Sequence, residues 1–362
     1  MGKRFSAMPD SIPKMSPAAA AVVGTTLREH VLHGMHAAPG ATGEFTSLLN
    51  HISLAIRMIN SRVRAAGLAD LLGYTGETNV QGESVQKLDQ FSNEVLLNVL
   101  ERSGHCGVVA SEENEEAVLQ PAPGHGKYVV LFDPLDGSSN IDTNVGIGTI
   151  FAILRRPEPT LSVPHMRDAL RPGREIAAAG YVLYGPSTIF VLSTGHGVHG
   201  FTLDPNIGEF FLSAPDIHCP SRGSCYSINE SNYGRWTPEL QNWVRWVKGD
   251  PNGPPPAATQ GFKTPYGARY VGSLVADAHR TLIKGGIFAY PADSKSPKGK
   301  LRLLYEANPM AFLFEQAGGG ATNGTQRILD IIPEELHQRT PLVIGSKEDV
   351  GAFAHFMSAS GK

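Results

Sequence analysis

The chain has 362 residues, and at roughly 150 residues per domain two domains are the leading expectation. With 31 Lys and Arg against 34 Asp and Glu the net charge is −3, which argues against nucleic acid or a membrane held by bulk charge, and no apolar run reaches the ~18 residues of a membrane span. The 40 Gly and 26 Pro point to many tight turns, and three cysteines with no C-x-x-C spacing (Cys106, Cys219, Cys225) point to a reducing, intracellular setting.

In chain order, residues 1–24 lack the continuous apolar core of a secretory signal and read as a mobile arm. Phe45, Leu48, Leu49, Ile52, Ile56, Ile59 and Val63 recur at helical steps, with Gly67 as a stop. Val85, Leu88, Phe91, Val95 and Val99 predict a second helix ending near Gly104. From Cys106 the pattern shortens to strand-length runs, CGVVA, KYVVLF, GIGTIFAIL, IAAAGYVLY and STIFVLS, which predict one large sheet covered by the earlier helices. Residues 155–175, with four prolines and no apolar period, predict a long surface loop. Residues 249–261 predict a loop within the second domain, and RWTPELQNWVRWVK, YVGSLVADAHRTLIKGG, NPMAFLFEQAGG and KEDVGAFAHFMS predict helices around it. No internal repeat is present, and the 13 histidines show no zinc-ligand spacing.

The chemistry concentrates at Asp133-Pro134-Leu135-Asp136-Gly137-Ser138-Ser139-Asn140, directly after the apolar run Tyr128 to Phe132. A strand delivering Asp133 at its end, with Pro134 fixing a turn, returns Asp136 to the same small volume, an oxygen cluster that hard divalent cations favour. Gly137 and the following serines suit phosphate oxygens. Taken alone, a D-x-x-D-G is more often a plain turn. Glu112 and Glu113 follow CGVVA as Asp133 follows YVVLF, however, so two neighbouring strand ends project four carboxylates to one edge, and Glu306 is a fifth candidate. Such crowding is repulsive until bound metal relieves it. Arg269, Tyr270, Tyr290, Lys300 and Arg302 are phosphate-holding residue types, each of which also occurs as an ordinary surface charge or core tyrosine.

At DPLDGSSNID, together with VASEEN, AAGYVLYGPST, PYGARYVGSLVADAHRTL, GGIFAYPADSKSPKGKLRLLYEANPMAF and other segments in family order over residues 25 to 356, the chain resembles class I fructose-1,6-bisphosphatase. The resemblance implies a sugar-phosphatase fold of class α/β (layered α+β), in which helices alternate with mixed β-sheets. It divides the chain into the 1–24 arm, a 25–215 allosteric domain with most metal ligands, and a 216–362 substrate domain. It implies hydrolysis of the 1-phosphate of fructose 1,6-bisphosphate, with Mg²⁺ as cofactor and Mn²⁺ as the alternative. The implied metal ligands are Glu112, Glu113, Asp133, the carbonyl of Leu135, Asp136 and Glu306. Asp89 and Glu83 become the water-activating carboxylates, Glu83 standing where animal members carry Asp, and Glu113 counts with the catalytic set. Gly137 and Ser138 would take the 1-phosphate; Asn229, Tyr233, Tyr270, Tyr290 and a neighbouring subunit's Arg269 would take the 6-phosphate; Lys300 and the backbone near Leu274 would take the sugar. NESNY leaves the choice between Asn232 and Tyr233 open.

An inhibitory AMP site is implied at Thr42, Gly43, Glu44, Thr46, Lys127, Tyr128 and Arg155, although Thr42 to Thr46 could equally cap the first long helix. A homotetramer and a cytoplasmic setting are expected, with a peroxisome-like organelle (glycosome) as the alternative compartment. The cysteine-free 155–175 loop argues against thiol-switched regulation. Two other readings stay open: a related magnesium-dependent phosphatase of sedoheptulose bisphosphate or an inositol or polyol phosphate, and a non-catalytic AMP-binding scaffold, disfavoured because every metal position is retained.

Overall fold

A computed structural model describes residues 24–36, 43–66, 68, 74–78, 84–120, 126–159, 162–250 and 261–358. The expected arm up to residue 23, the Gly67 stop and the proline-rich stretch 251–260 lie outside these residues.

Helix α1 (Leu27–His36) precedes α2 (Glu44–Val63), which buries Phe45, Leu48, Leu49, Ile52, Ile56 and Ile59, the face its sequence period predicts. A short hairpin, β1 (Tyr74–Thr78) and β2 (Ser84–Gln86), leads directly into α3 (Lys87–Ser103). Val85 therefore lies in a strand, and the helix starts two residues later than its apolar period suggests. Gly104 closes α3 in the left-handed conformation, φ 69°.

The expected large sheet has eight strands: β3 (Cys106–Ser111), β4 (Val118–Leu119), β5 (Tyr128–Asp136), β6 (Ile147–Arg155), β7 (Ile176–Tyr184), β8 (Thr188–Ser193), β9 (His199–Asp204) and β10 (Glu209–Ala214), in the order β10-β9-β8-β7-β6-β5-β3-β4. Strands β9 and β10 had no clear apolar run to announce them. β3 and β5 are parallel and the remaining neighbours antiparallel. Both faces are covered: Tyr128, Val130 and Phe132 of β5 pack with α2 and α3, while Val129 and Leu131 pack on the opposite side.

That opposite side is filled by α5 (Leu274–Lys284) and α6 (Asn308–Gln316), introduced here with α4 (Pro238–Val247) and α7 (Lys347–Ser358). Beyond them lies a five-stranded sheet of β11 (Cys225–Ser227), β12 (Gly267–Ala268), β13 (Ile287–Tyr290), β15 (Gly320–Thr322) and β17 (Leu342–Gly345). The pair β14 (Leu301–Arg302) and β16 (Arg339–Thr340) forms a small separate ladder. Trp243 of α4 and Phe353 of α7 meet edge to face at 5.0 Å on the far side of the five-stranded sheet. The result is a two-domain, five-layer α/β stack: helices, eight strands, helices, five strands, helices.

The 155–175 segment is not wholly a surface loop. Arg156 is buried and ion-pairs with Asp168 at 2.8 Å, and Ala169 is buried in the core. The three cysteines are free and buried. Among the described residues no helix is long and apolar enough to cross a membrane.

Candidate active site

Two consecutive carboxylates on one strand would face opposite sides if their spacing were odd, and Asp133 and Asp136 are three apart. The expected turn at Pro134 is instead a register shift inside β5 between Asp133 and Asp136, and the strand continues to Asp136. The irregularity places both carboxylates on the side of α5. Asp136 Oδ2 accepts from the Val275 N–H at 2.8 Å and the Ser273 hydroxyl at 3.1 Å, at the N-terminus of α5. The Leu135 N–H donates to Asp133 Oδ1 at 2.9 Å.

Parallel pairing of β3 with β5 brings Glu112 alongside, its N–H donating to the Phe132 carbonyl at 3.0 Å. Glu306 arrives from the other domain on a single π-turn, Leu303–Ala307, a distortion that often marks functional helices. Carboxylate oxygens of Glu112, Asp133 and Glu306 all lie within 4.8 Å of one another, and all three residues are buried. Arg302 sits among them, its Nη1 2.9 Å from Glu112 Oε1 and its N–H donating to Glu306 Oε2 at 2.6 Å. Its guanidinium thus serves as a counter-ion to the acidic cluster while lining the main cavity.

Burial, and then repulsion from Glu112, push the Asp133 and Glu306 carboxyls well above the usual range. Burial raises Asp136 to about 6 against the opposing hydrogen bonds from α5. An all-oxygen donor set this crowded fits a hard divalent cation, which would remove the mutual repulsion, and the cluster can hold a metal.

The cluster opens on a cavity of about 520 Å³ that Glu113, Leu135, Gly137, Ser138, Leu274 and Tyr290 also line. Gly137 is required there twice over: its φ is +76°, and a Cβ would stand 2.8 Å from Ser273 Cβ. Asp89, on the first turn of α3, is buried behind this cavity; burial and then the Glu113 charge raise its carboxyl to about 8. Glu83 lies outside the described residues.

A smaller cavity adjoins through Tyr290 and is lined by Asn229, Asn232 and Lys300. Tyr270 stands beside it, hydrogen-bonded to Asn229. Tyr233 packs its ring at 5.7 Å from Trp236, which itself lines this cavity, so within the NESNY segment Asn229 and Asn232 line the cavity directly and Tyr233 stands one ring away. Arg269 lies exposed on the surface.

At the opposite end of β5, Gly43 caps α2 with φ 77°, Glu44 pairs with Lys127 at 2.5 Å, and Tyr128 stands directly opposite Arg155 across the β5–β6 ladder. Thr46 is buried close by in sequence, its hydroxyl without a hydrogen-bond partner. Thr42 lies outside the described residues. Sequence reasoning missed Gln86, Ser273 and Asp277, which line the main cavity; only their nearness in the fold marks them.

Comparison with known proteins adds the following. The family model described as fructose-1-6-bisphosphatase, N-terminal domain, matches residues 25–215, and that of the C-terminal domain matches residues 219–358. The class 1 fructose-1,6-bisphosphatase of Sorangium cellulosum is 57% identical over 94% of this chain and 96% of that protein. That of Nitratidesulfovibrio vulgaris is 55% identical over 90% and 95% respectively. The Leishmania major fructose-1,6-bisphosphatase in holo form superposes with a TM-score of 0.84 at 42% identity over 92% of this chain and 98% of that one. The same enzyme in its T-state gives 0.79 at 41% identity, over 92% and 99%.

Proposed function

The chain belongs to the class 1 fructose-1,6-bisphosphatase family and hydrolyses fructose 1,6-bisphosphate in gluconeogenesis, and from that premise we propose which of its residues carry the reaction. The observation that carries the assignment is the buried Glu112, Asp133 and Glu306 trio beside a cavity of about 520 Å³ that Gly137 and Ser138 line.

Glu112, Glu113, Asp133, the Leu135 carbonyl, Asp136 and Glu306 would hold Mg²⁺, with Mn²⁺ as the alternative. Bound there, the cation supplies a lowered pKa for water and charge neutralisation at the phosphoryl oxygens. The residues themselves do the rest. Gly137 and Ser138 receive the 1-phosphate in a turn rich in backbone N–H groups. Asp89, buried beside the cavity, accepts the water proton once bound metal neutralises Glu113, whose charge together with burial keeps the metal-free Asp89 carboxyl protonated, and Glu83 assists. Asn229, Tyr270 and Tyr290 take the 6-phosphate together with Tyr233 or its neighbour Asn232, and with Arg269 from a neighbouring copy of a tetramer. Lys300 and the Leu274 backbone orient the sugar. Residues 25–215 form the regulatory domain with most ligands, and 216–362 the substrate domain.

Gly43, Glu44, Thr46, Lys127, Tyr128 and Arg155 form the inhibitory AMP site, with Thr42 completing it. What supports this is the convergence of three separate segments on the first turn of α2 and the buried, unpartnered Thr46 hydroxyl.

The test is phosphate release from fructose 1,6-bisphosphate in EDTA, Mg²⁺ or Mn²⁺, with sedoheptulose bisphosphate and an inositol phosphate for comparison. Release in EDTA equal to that in metal overturns the metal assignment. A faster sedoheptulose bisphosphate reaction overturns the preference for fructose 1,6-bisphosphate. No inhibition by millimolar AMP overturns the nucleotide site.

A further inference from the structure

Gln86 is the last residue of β2 and the N-cap of α3, and its side chain is only 1% exposed. It lines the main cavity together with Glu112, Glu113, Asp133 and Ser138. Its backbone N–H donates to Asp89 Oδ2 at 3.3 Å, and its side-chain Nε2 donates to the Ser138 carbonyl at 2.8 Å. Ser138 in turn hydrogen-bonds the Asp89 carboxyl. Three residues from two distant segments thus form a closed triangle between the start of α3 and the turn after β5. Two buried acceptors at this corner, Gln86 Oε1 and Asp89 Oδ1, have no hydrogen-bond partner; the Gln86 side chain faces the Asp89 backbone N–H in a capping box without closing a hydrogen bond to it. A buried acceptor without a donor is costly unless a ligand or water supplies one.

We propose that Gln86 is a positioning residue for the hydrolysis, locking Asp89 to the turn that receives the 1-phosphate and orienting the attacking water. Water has two O–H donors, and the two unpartnered oxygens are two acceptors. One O–H directed at Gln86 Oε1 leaves the other for Asp89 Oδ1, which takes the proton as the water oxygen's lone pair forms the new P–O bond. The bond from phosphorus to the sugar 1-oxygen breaks, and its electron pair leaves with that oxygen. A glutamine amide is suited to the task because one planar group offers a donor to Ser138 and an acceptor to water. The proposal rests on the assignment of Asp89 as the base.

The experiment is a double-mutant cycle of Q86M, D89N and Q86M/D89N on the full-length, Mg²⁺-loaded protein. Methionine keeps the length and burial of the side chain while removing donor and acceptor. Q86M is expected to lower kcat about 30-fold, within the range that misplacement of a reacting group costs. KM for fructose 1,6-bisphosphate, the Mg²⁺ dissociation constant from calorimetry and the unfolding midpoint are expected to stay near wild type. D89N should be almost inactive, and Q86M/D89N no slower than D89N by more than twofold, because the two residues act as a unit.

A Q86M kcat within threefold of wild type beside an inactive D89N overturns the role of Gln86 and leaves Asp89 as base. Full additivity in the cycle also overturns it, as does a large loss of unfolding midpoint with kcat and KM changing together, which would mark Gln86 as merely structural. Near-wild-type activity in D89N removes the base assignment and the Gln86 role with it.

Discussion

Two glycines with nearly the same backbone separate conformational strain from steric contact. Gly104, φ +69°, ends α3 where an added Cβ would meet nothing within 4 Å, whereas Gly137, φ +76°, would place its Cβ 2.8 Å from Ser273 Cβ and 2.9 Å from Ser273 Oγ. Gly104→Ala carries only the left-handed penalty, about 1 kcal/mol. Gly137→Ala carries the same penalty and must also push Ser273 back by several tenths of an ångström. That movement strains the Ser273 hydroxyl's bond to Asp136, 3.1 Å, and its cap on the Ala276 N–H, 3.5 Å. A hydrogen bond to a carboxylate contributes about 1.5–3 kcal/mol and a helix cap about 1, so losing part of each adds roughly 2–3 kcal/mol. At ~2.1 cal/mol/K per residue over 362 residues, this separates the two unfolding midpoints by roughly 3–4 °C. Scanning calorimetry in EDTA measures the difference, and phosphate release gives the functional counterpart: Gly137→Ala should lose at least tenfold in kcat/KM while Gly104→Ala stays within twofold. Coincident midpoints with unimpaired turnover in Gly137→Ala would refute the close approach of Ser273 and the placement of the phosphate turn.

The raised Asp133, Asp136 and Glu306 carboxyls fix a sign. Their metal-free folded forms hold protons that the unfolded chain has released, so in EDTA their contribution to stability is present below the unfolded carboxylate pKa of about 4 and is lost as pH rises through the folded values, about 6 for Asp136. Mg²⁺ binding should therefore release protons, measured by calorimetry in buffers of different ionisation enthalpy, and the stabilisation by Mg²⁺ should grow between pH 6 and 8; buffer-independent heats would contradict this. Glu306→Gln should weaken Mg²⁺ binding at least tenfold yet raise the unfolding midpoint in EDTA by relieving repulsion, and a lower midpoint would count against a repulsive cluster. His30 is held down to about 4 by partial burial and then by His199, whose ring lies 4.3 Å away. The unfolded chain takes up a proton that this site refuses between about pH 6.5 and 4, so stability falls as pH falls through that window, by about 1–2 kcal/mol after allowing for solvent screening, and His30→Phe should flatten the slope in denaturant titrations. Lys127→Met should raise the AMP concentration for half-inhibition at least tenfold, since it removes the cation paired with Glu44, and an unchanged inhibition curve would remove Lys127 from the nucleotide site.

Much of this protein is legible along the chain. Periodicity alone marks α2 and the strands β3, β5, β6, β7 and β8, because both faces of the eight-stranded sheet are covered and its central strands read as continuous apolar runs. The two acidic strand ends, Glu112-Glu113 and Asp133 to Asp136, announce themselves by following two such runs, and the long ordered set of segments identifies the family. What one dimension could not supply is which groups share a volume. Glu306 lies 173 residues beyond Asp133 in a different domain, and a π-turn, not a spacing rule, aims it at Glu112. Asp133 and Asp136 stand on one side because of a register shift that alternation does not foresee. Arg302 stands among basic neighbours in the sequence, and only the fold pairs it with Glu112 at the wall of the main cavity, while Gln86 carried no charge or motif to draw attention. Local sequence determines elements because periodicity and propensity act over a few residues; the site depends on strand register, helix termini and contacts across domains, which are settled only when the whole core packs.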